Sequence, residues 1–434
     1  MEQKLYDIMD WAGIEELTYS ESADPHRMLG PHATEEGLLI QAFIPTATAI
    51  TVKLTGNGKK YPMELADEAG FYAVLIPRKT VTDYTLLVTY DNGTEEEIHD
   101  PYSFGPQFTE DELKKFGAGI YYDIYEKMGA HPMTIDGVEG VYFAVWAPCA
   151  MRVSVVGDFN LWDGRRHQMR KVGEGDASVF ELFIPGLAAG CGYMYEIKRQ
   201  GKGTTRKLDP VSRQISSVPI TASVVSDENM PDSYAWNDGL WMIKRKKEAG
   251  KKKPVTVYEV SLTDWLKEKS ADELVDFVKQ EGYTHVCFLP VAEYLNEEMN
   301  GYSTLGYFTV THRIGGSDAF KKLVDDCHNA GIGVIIDWNG AYFGTEVKGL
   351  YDFDGADAYG YLKPSLEKHP EWDVVTFDYK KGAVRSFLLS SVLMWLNDYH
   401  IDGIRIDGVA SMLYLDYGKQ PGTWTPNMYG GNEN

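Results

Sequence analysis

The chain has 434 residues, which at roughly 150 residues per domain predicts about three domains. Its 42 basic and 64 acidic residues give a formal net charge of −22, which argues against a nucleic-acid or anionic-membrane partner, because phosphates need Lys and Arg to neutralise them. A hydrophobic content of 44% is enough for packed cores and excludes wholesale disorder. No apolar run approaches the ~20 residues of a membrane span, and the first residues lack the pattern of a signal peptide. We therefore expect a cytoplasmic protein.

The first 235 residues carry short alternating runs bounded by Gly, Asn, Asp and Pro, a pattern that predicts strands and turns. The two halves of this region resemble each other: AFIP followed by ATAITVKL matches AVWAP followed by AMRVSVV, and each half closes on Asp-Pro, at Asp100 and Asp209. We interpret them as two β-sandwiches, in residues 1–108 and 109–240. The segment 110–128 between them is predicted to be helical.

Residues 241–253 are predicted to form a linker. Seven of the ten residues in 244–253 are Lys or Arg, which favours a solvated connection between domains. The alternative, a nucleic-acid patch, fits poorly with so acidic a chain.

After Pro254 the pattern changes to the apolar runs VTVYEV, THVCFLP, GVIID and GIRID, which are typical of strands buried on both faces of a parallel sheet. Amphipathic stretches at about 271–281, 318–330 and 383–399 separate them. The alternation predicts a parallel α/β domain with right-handed crossovers, of which residues 254–434 supply four strands.

The four cysteines are far apart, and none stands in a CxxC or in a cluster with the spacing of metal ligands. We therefore expect reduced thiols, buried inside the fold as small apolar side chains. The sequence predicts no bound metal and no cofactor.

Reactive groups in a parallel α/β sheet gather at the carboxyl ends of the strands, where this chain has Glu259, Glu293, Asp337 and Asp407. Arg405 and Asp407 are two residues apart on one strand and so point to the same face. A guanidinium beside a carboxylate lowers its pKa and keeps it ionised, as a nucleophile requires, but a structural ion pair fits the spacing equally well. Asp337 is a candidate to bind a substrate hydroxyl, to orient Arg405 or to cap the following loop.

Two further groups of side chains have both a functional and a structural interpretation. Tyr302, Tyr307, Phe308 and His312 follow the second predicted strand, and such rings either stack on an apolar ligand face or fill the core. Cys327 and His328 are adjacent within a predicted helix, and neighbours there do not face each other, which argues against a Cys-His catalytic pair.

The segment DGIRIDGVASMLYLDYGKQPGTWTPNMYGG resembles the nucleophile region of bacterial alpha-1,4-glucan (glycogen) branching enzymes, which belong to the alpha-amylase superfamily. DPHRMLGPH, VSVVGDFNLWDGRRHQM, YEVSLTDW and FLLSSVLMWLNDYHIDG extend the resemblance over nearly the whole chain. It implies two N-terminal immunoglobulin-like β-sandwiches, the second of a sugar-binding type, and then an incomplete TIM barrel of about four strands. The implied reaction is a retaining transfer of an alpha-1,4-glucan chain to a 6-hydroxyl, with alpha-glucan as partner.

The resemblance also implies roles for individual residues. Asp407 becomes the nucleophile and Arg405 its electrostatic partner, while Asp337 and Tyr302 become substrate contacts at the reactive sugar. Trp162, in GDFNLWDG, becomes a candidate to stack on glucan from the second sandwich.

Three positions depart from the family pattern. The third-strand motif resembles Asp-x-x-Pro-x-His-Phe in the family but is DWNGAYF here, so Gly340 replaces the proline and Tyr342 stands where a sugar-binding histidine is expected. Ser261 similarly replaces a usual histidine. A tyrosine hydroxyl can hydrogen-bond, but it is bulkier and titrates near 10. Tyr342 is therefore predicted either to contact substrate in place of the histidine or to block the subsite nearest the nucleophile.

The resemblance places the family's general acid and its transition-state-stabilising aspartate on later strands than the four present here. A retaining site without its acid cannot protonate the leaving oxygen, so these 434 residues are predicted to be inactive alone, as the chain looks truncated after YGGNEN. A half barrel leaves open sheet edges, which predicts self-association. The alternative is a non-catalytic alpha-glucan-binding or regulatory paralogue.

Overall fold

The computed structural model describes residues 3–216, 219, 221–227, 234–361 and 374–434. The chain divides into two compact units, one formed by Met1–Leu113 with Met128–Asp209 and the other by Lys114–Lys127 with Pro210–Asn434. Among the described residues, no helix has both the length and the apolar character needed to cross a membrane.

The first unit opens with two short helices followed by two four-stranded antiparallel sheets. These elements are α1 (Gln3–Ile8), α2 (Trp11–Thr18), β1 (Gly30–Ala33), β2 (Leu38–Phe43), β3 (Ala47–Leu54), β4 (Lys60–Pro62), β5 (Glu64–Asp67), β6 (Phe71–Ile76), β7 (Tyr84–Tyr90) and β8 (Glu95–Ile98). The strand orders are β1-β2-β6-β5 and β4-β3-β7-β8. Ile40 and Val74 from one sheet share a core with Val52 and Leu86 from the other, so the two sheets form a sandwich.

A second pair of antiparallel sheets follows in the same unit. Helix α3 (Glu110–Ala118) precedes β9 (Gly129–Ile135), β10 (Val138–Trp146), β11 (Ala150–Gly157), β12 (Arg170–Val172), β13 (Val179–Pro185), β14 (Gly192–Arg199) and β15 (Gly203–Lys207). One sheet has the order β12-β13-β10-β9, while β14 pairs with β11 and β15. The rings of Phe143 on β10 and Tyr193 on β14 lie 5.0 Å apart, which joins the two sheets. This arrangement agrees with the predicted pair of sandwiches.

Each sandwich contains the same buried tyrosine–aspartate hydrogen bond at its predicted Asp-Pro. Tyr84 donates to Asp100 and Tyr193 donates to Asp209, both at 2.6 Å and both sixteen residues apart. Burial raises the pKa of Asp100 to about 6. The repeated Asp-Pro in the sequence therefore marks a repeated internal contact.

The helix predicted for 110–128 is shorter in the structure. It ends at Ala118, because Gly119 takes a left-handed conformation with φ of +80°, which is the usual way to terminate a helix. A single 3₁₀ turn, Ile124–Glu126, follows.

The second unit is built around a four-stranded parallel sheet. Its elements are β16 (Gln214–Ile215), β17 (Ser223–Val224), α4 (Gly239–Glu248), β18 (Val257–Val260), α5 (Leu262–Trp265), α6 (Ala271–Gln280), β19 (His285–Phe288), β20 (Ala292–Tyr294), β21 (Thr304–Val310), α7 (Gly316–Ala330), β22 (Gly333–Asn339), β23 (Tyr342–Gly344), β24 (Val374–Thr376), α8 (Gly382–Asp398), β25 (Gly403–Asp407) and α9 (Val409–Leu413). The parallel order β18-β19-β22-β25 confirms the four predicted strands. The pairs β20-β21 and β23-β24 are antiparallel additions.

The basic segment predicted as a linker is partly helical, because it contributes to α4. Arg245 donates to the carbonyls of His400 and Ile401 and to the Asp402 carboxylate, at 3.0, 3.2 and 3.1 Å. One basic side chain of the run is therefore fixed within the second unit rather than solvated.

Helix α8 presents the predicted apolar face to the core, where Val384, Phe387 and Trp395 are almost completely buried.

The expectation of four buried thiols is wrong for two of them. Cys287 and Cys327 are buried, whereas Cys149 is exposed and Cys191 is half-buried. Both of these stand in turns between strands, where a side chain is not covered by a second layer.

Candidate functional site

The predicted carboxylates meet at the carboxyl end of the parallel sheet. Asp337 on β22 is the register partner of Arg405 on β25, and Asn339 is the partner of Asp407, the last residue of that strand. Residues two apart on a strand share a face, so Asp337 and Asn339 face the same side, as do Arg405 and Asp407. The parallel topology thus brings together residues that are 68 positions apart in the sequence.

The Arg405 guanidinium reaches the carboxylates of two earlier strands. Its Nη1 lies 2.5 Å from Glu259 Oε2 and 3.6 Å from Asp337 Oδ2. The bond to Glu259 raises the pKa of Arg405 above its ordinary value, which keeps the side chain cationic. The sequence paired Arg405 with Asp407, and the structure directs it toward Glu259 and Asp337 instead.

This contact also shows that the sheet is curved. Glu259 is on β18 and Arg405 is on β25, with two strands between them. In a flat sheet, three strand spacings of ~4.8 Å would place these two backbones about 14 Å apart. Two side chains that both point perpendicular to the plane of the sheet do not bridge such a gap. The sheet therefore bends so that Glu259, Asp337 and Arg405 line its concave face.

Asp337 is the most enclosed of these carboxylates, with a fully buried side chain. Its Oδ2 accepts a 2.6 Å hydrogen bond from the Tyr302 hydroxyl, while Oδ1 is buried without a protein partner among the described residues. Burial raises the pKa of Asp337, against the opposing effects of Tyr302 and Arg405. An unpaired buried acceptor is costly in a folded protein, so Oδ1 is suited to receive a ligand hydroxyl.

Replacing Tyr302 by phenylalanine is expected to lower the free energy of unfolding by about 1–3 kcal/mol at pH 7, since the ionised Asp337 then loses a donor. A raised carboxyl pKa means that the folded state holds the proton more tightly than the unfolded chain, so ionisation costs stability as pH rises. The effect of the substitution should therefore be smaller at pH 4, where Asp337 is more protonated. Urea unfolding at both pH values measures it, and an equal loss at pH 4 and pH 7 would contradict the assignment.

Tyr342 contacts the predicted nucleophile directly. Its hydroxyl lies 3.1 Å from Asp407 Oδ2, and its own carbonyl accepts from the Tyr307 hydroxyl and from Asn339 Nδ2, both at 2.9 Å. Burial, with the nearby Asp407 charge, raises the pKa of Tyr342, so the phenol stays protonated and donates to the carboxylate. A fixed, buried ring therefore occupies the space beside Asp407.

The other departures from the family pattern have packing reasons. A Cβ on Gly340 would lie 2.2 Å from the Trp338 ring, so the tryptophan leaves no room for the expected proline. Ser261 is the N-cap of α5 and accepts from the Asp264 amide at 3.2 Å, which is a usual role for serine.

The aromatic group after the second predicted strand is mostly structural. Tyr307 and Phe308 are buried in the core, so the ligand-stacking alternative is wrong for them. His312 and Arg313 donate to the buried Glu293, each at 2.9 Å. The strand-end carboxylate Glu293 therefore closes an internal charge cluster.

Trp162 lies in the first unit, in a turn with two consecutive left-handed residues, Leu161 at φ 58° and Trp162 at φ 59°. Such backbone strain is often associated with functional sites. Its indole N–H donates to Asp158 at 2.7 Å, and the Arg206 guanidinium lies 5.7 Å from the ring centre. Arg206 also donates to the Trp162 carbonyl at 2.9 Å. The half-buried indole is thus held in one orientation.

Sequence reasoning missed two contributors to the site. Glu259 was noticed only as a strand end, and nothing in the sequence indicates that Arg405 would choose it. Asn339, which braces Tyr342 and also donates to the Tyr302 carbonyl at 2.6 Å, was not noticed. Its position two residues after Asp337 on a strand is the signal that could have found it.

Comparison with known proteins gives two matches to family models. Residues 10–102 match the N-terminal domain of alpha-1,4-glucan branching enzyme GlgB. Residues 127–212 match carbohydrate-binding module 48, also described as the isoamylase N-terminal domain.

Similar curated proteins include the 1,4-alpha-glucan branching enzymes GlgB of Thermosynechococcus vestitus, 41% identical over 97% of this chain, and of Methylococcus capsulatus, 42% identical over 95%. The chain spans 59% and 56% of the length of these relatives. Among solved structures, a putative alpha amylase from Salmonella typhimurium matches with a TM-score of 0.50 and 23% identity, covering 66% of this chain and 44% of that one. That likeness concerns the fold alone.

Proposed function

The chain is related to the 1,4-alpha-glucan branching enzymes, and on that premise we propose that it is an alpha-glucan protein of glycogen metabolism. In this proposal the sandwiches of the first unit hold glucan, and the sheet of the second unit carries the nucleophile of a retaining transglycosylation site. The observation that carries it is the meeting of Asp407, Arg405 and Asp337 at the carboxyl end of one curved parallel sheet.

The curvature supports a finer description of the second unit. A sheet that bends enough for β18 and β25 side chains to form an ion pair has the geometry of a closing barrel. We propose that residues 254–434 form the first four strands of a TIM barrel, preceded by sandwich modules in 1–108 and 109–240. Active sites of such barrels lie at the carboxyl ends of the strands, which is where these carboxylates stand.

In the proposed reaction Asp407 attacks the anomeric carbon and breaks the alpha-1,4 bond, while a second carboxyl group protonates the leaving 4-oxygen. The 6-hydroxyl of an acceptor glucan then displaces Asp407 from the covalent glycosyl-enzyme and returns its proton to that second group. Arg405 places a positive charge among the strand-end carboxylates, through its ion pair with Glu259 and its 3.6 Å contact with Asp337. Asp337 Oδ1 accepts a hydrogen bond from a hydroxyl of the reactive sugar. The Tyr302 hydroxyl donates to the other oxygen of that carboxylate and so holds it in place. The Tyr342 hydroxyl occupies Oδ2 of Asp407, so attack uses the other carboxylate oxygen or follows release of this hydrogen bond.

The scheme needs a second carboxyl group about 5–5.5 Å from the nucleophile to protonate the leaving oxygen. The resemblance places that acid beyond the four strands described, so we propose that the 434 residues alone make no branches. The purified chain incubated with amylose should give no alpha-1,6 linkages, measured as chains released by a debranching enzyme. Detectable branching would contradict the proposal.

A second candidate is a glucan-binding protein without catalysis. The hydrogen bond from the Tyr342 hydroxyl to the Asp407 carboxylate favours it. Tyr342 fills the place of the family's sugar-binding histidine. Trp162 supports either candidate, because its fixed indole can stack on the apolar face of a sugar ring. A chimera that joins this chain to the C-terminal part of one of the relatives tests the two candidates. If the chimera is retained on glycogen but makes no branches, the result favours this candidate. Branching by that chimera would favour the enzyme.

Self-association remains a prediction. Within the described sheet, β18 and β25 each have a neighbour on one side only, and Val257 and Ile406 on these strands are 42% and 44% exposed. Unpaired edges template further strand pairing, so light scattering should give a mass above that of one chain. A stable monomer would contradict this expectation.

A further inference from the structure

A second candidate binding site lies on the first unit, away from Trp162 in the sequence. A cleft of about 460 Å³ opens beside helix α2. It is lined by two aromatic side chains, two carboxylates, a hydroxyl and two small apolar groups: Trp11, Tyr19, Glu15, Asp67, Thr18, Ile14 and Ala69.

Of the two aromatic side chains that line this cleft, Tyr19 is open to solvent and Trp11 is half-buried. Tyr19 is 67% exposed, and the neighbouring Tyr6 is 52% exposed. The Tyr6 ring lies 4.8 Å from that of Trp11 at an interplanar angle of 40°, and Trp11 also packs against the core of the unit. Large exposed rings around a cavity mark binding surfaces more often than they mark core packing.

The polar side chains have hydrogen-bonding capacity left for a ligand. Asp67 accepts the Ala69 amide with Oδ1 at 2.8 Å, which fixes the carboxylate and leaves Oδ2 as an acceptor. Glu15 is exposed on the helix and faces the same cleft. Two carboxylates repel an anionic ligand, whereas a neutral polyhydroxyl ligand gives them donors. A sugar ring combines such hydroxyls with an apolar C–H face that packs on an aromatic ring.

The cleft is also held rigidly within the first unit. The Tyr19 carbonyl accepts from Lys198 Nζ at 3.1 Å, and the same ammonium pairs with Glu21 at 2.9 Å. The Leu17 carbonyl accepts from Gln168 Nε2 at 3.3 Å. The loop that carries Tyr19 is therefore fixed to strands of the second sandwich, and a preformed site loses little entropy on binding.

We propose that this cleft binds a segment of alpha-1,4-glucan, as a contact additional to Trp162. The inference rests on the proposed function, because the ligand class is the same neutral glucan. Two contacts on one rigid unit would raise the affinity for a long polysaccharide above that for a short oligosaccharide.

Titration of the full chain with maltoheptaose tests the proposal. Calorimetry should show that Trp162→Ala and Tyr19→Ala each remove one maltoheptaose site from those of the wild-type chain. For glycogen, Tyr19→Ala should weaken binding about 3- to 10-fold, as the loss of one stacking ring predicts. Tyr19→Phe, which keeps the ring, is the matched control and should bind within about 2-fold of wild type.

Two failures are distinguishable. If the wild-type chain binds neither maltoheptaose nor glycogen, the proposed function fails and this site fails with it. If the wild type binds and Tyr19→Ala has the same number of sites and the same glycogen affinity as the wild type, only the additional site is overturned. Tyr19 is largely exposed, so its substitution should leave thermal unfolding unchanged.

Discussion

Replacing Asp402 by alanine is expected to lower the free energy of unfolding of the second unit by about 3–5 kcal/mol, the cost of breaking a buried ion pair from one side. The Asp402 side chain is 8% exposed. It accepts from His328 Nε2 at 2.9 Å, from Trp241 Nε1 at 2.9 Å, from Arg245 Nη1 at 3.1 Å and from the Val334 amide at 2.8 Å. The alanine variant leaves all four donors without this acceptor.

The pairing of His328 makes the loss larger. Its Nδ1 faces Asp238 Oδ2 at 2.8 Å while its Nε2 faces Asp402. Each nitrogen of this buried ring therefore faces a carboxylate oxygen, and the alanine variant removes one of the two. Although burial opposes it, the bond from His328 holds the pKa of Asp402 below its ordinary value. A depressed carboxyl pKa contributes stability at neutral pH that is lost as pH falls through the folded-state value, so the substitution should matter less in strong acid.

Urea unfolding at pH 7, followed by tryptophan fluorescence, measures this loss. The matched control is Asp326→Ala on helix α7, which also carries His328, since Asp326 is 36% exposed and pairs with the solvent-exposed Lys322 at 2.5 Å. Exposed pairs at this spacing contribute below about 1 kcal/mol. Equal effects of Asp402→Ala and Asp326→Ala would show that the buried cluster does not stabilise the unit.

Replacing Glu181 by alanine is expected to cost the first unit a similar 3–5 kcal/mol, about the penalty for an uncompensated buried group. The Glu181 residue is completely buried. Its carboxylate accepts from the Tyr142 hydroxyl at 2.7 Å, from Arg170 Nε at 3.0 Å and from the amides of Gln107 and Phe108 at 3.1 Å. It therefore fastens the segment between the two sandwiches to the second sandwich.

Glu97→Ala provides the control in the same unit. Glu97 pairs with Lys53 at 2.9 Å on an exposed surface, so its loss should cost below about 1 kcal/mol. Guanidinium-chloride unfolding of both variants gives the comparison. A Glu181→Ala variant as stable as Glu97→Ala would overturn the assigned role, and Glu181→Gln should fall between them because it keeps one acceptor oxygen.

Sequence periodicity was enough to predict most of the fold. Alternation of apolar residues located the strands of both sandwiches, and the apolar runs after Pro254 predicted the four strands of the parallel sheet. The sequence pattern did not reveal local backbone conformation. The left-handed conformation of Gly119 ends a helix that was predicted to continue to residue 128. The fixed position of Arg245 depends on acceptors more than 150 residues away, which no local pattern reveals.

The sequence predicted which residues form the candidate site, but not the contacts that these residues make with one another. Strand-end position and family resemblance identified Asp407, Arg405 and Asp337 together with the contact residues Tyr302 and Tyr342. The curvature of the sheet decides that Arg405 reaches Glu259, and curvature depends on packing across several strands. Burial likewise separated Tyr302, which faces Asp337, from the core ring of Tyr307, although both are tyrosines of one short segment.

The electrophoretic mobility of the chain in native gels with and without glycogen tests most directly whether this protein holds alpha-glucan. We expect glycogen to retard the wild-type chain in proportion to its concentration, and to retard Trp162→Ala less at every concentration. Bovine serum albumin in neighbouring lanes controls for sieving by the polysaccharide. An unchanged relative mobility of the wild-type chain at saturating glycogen would contradict the proposed function.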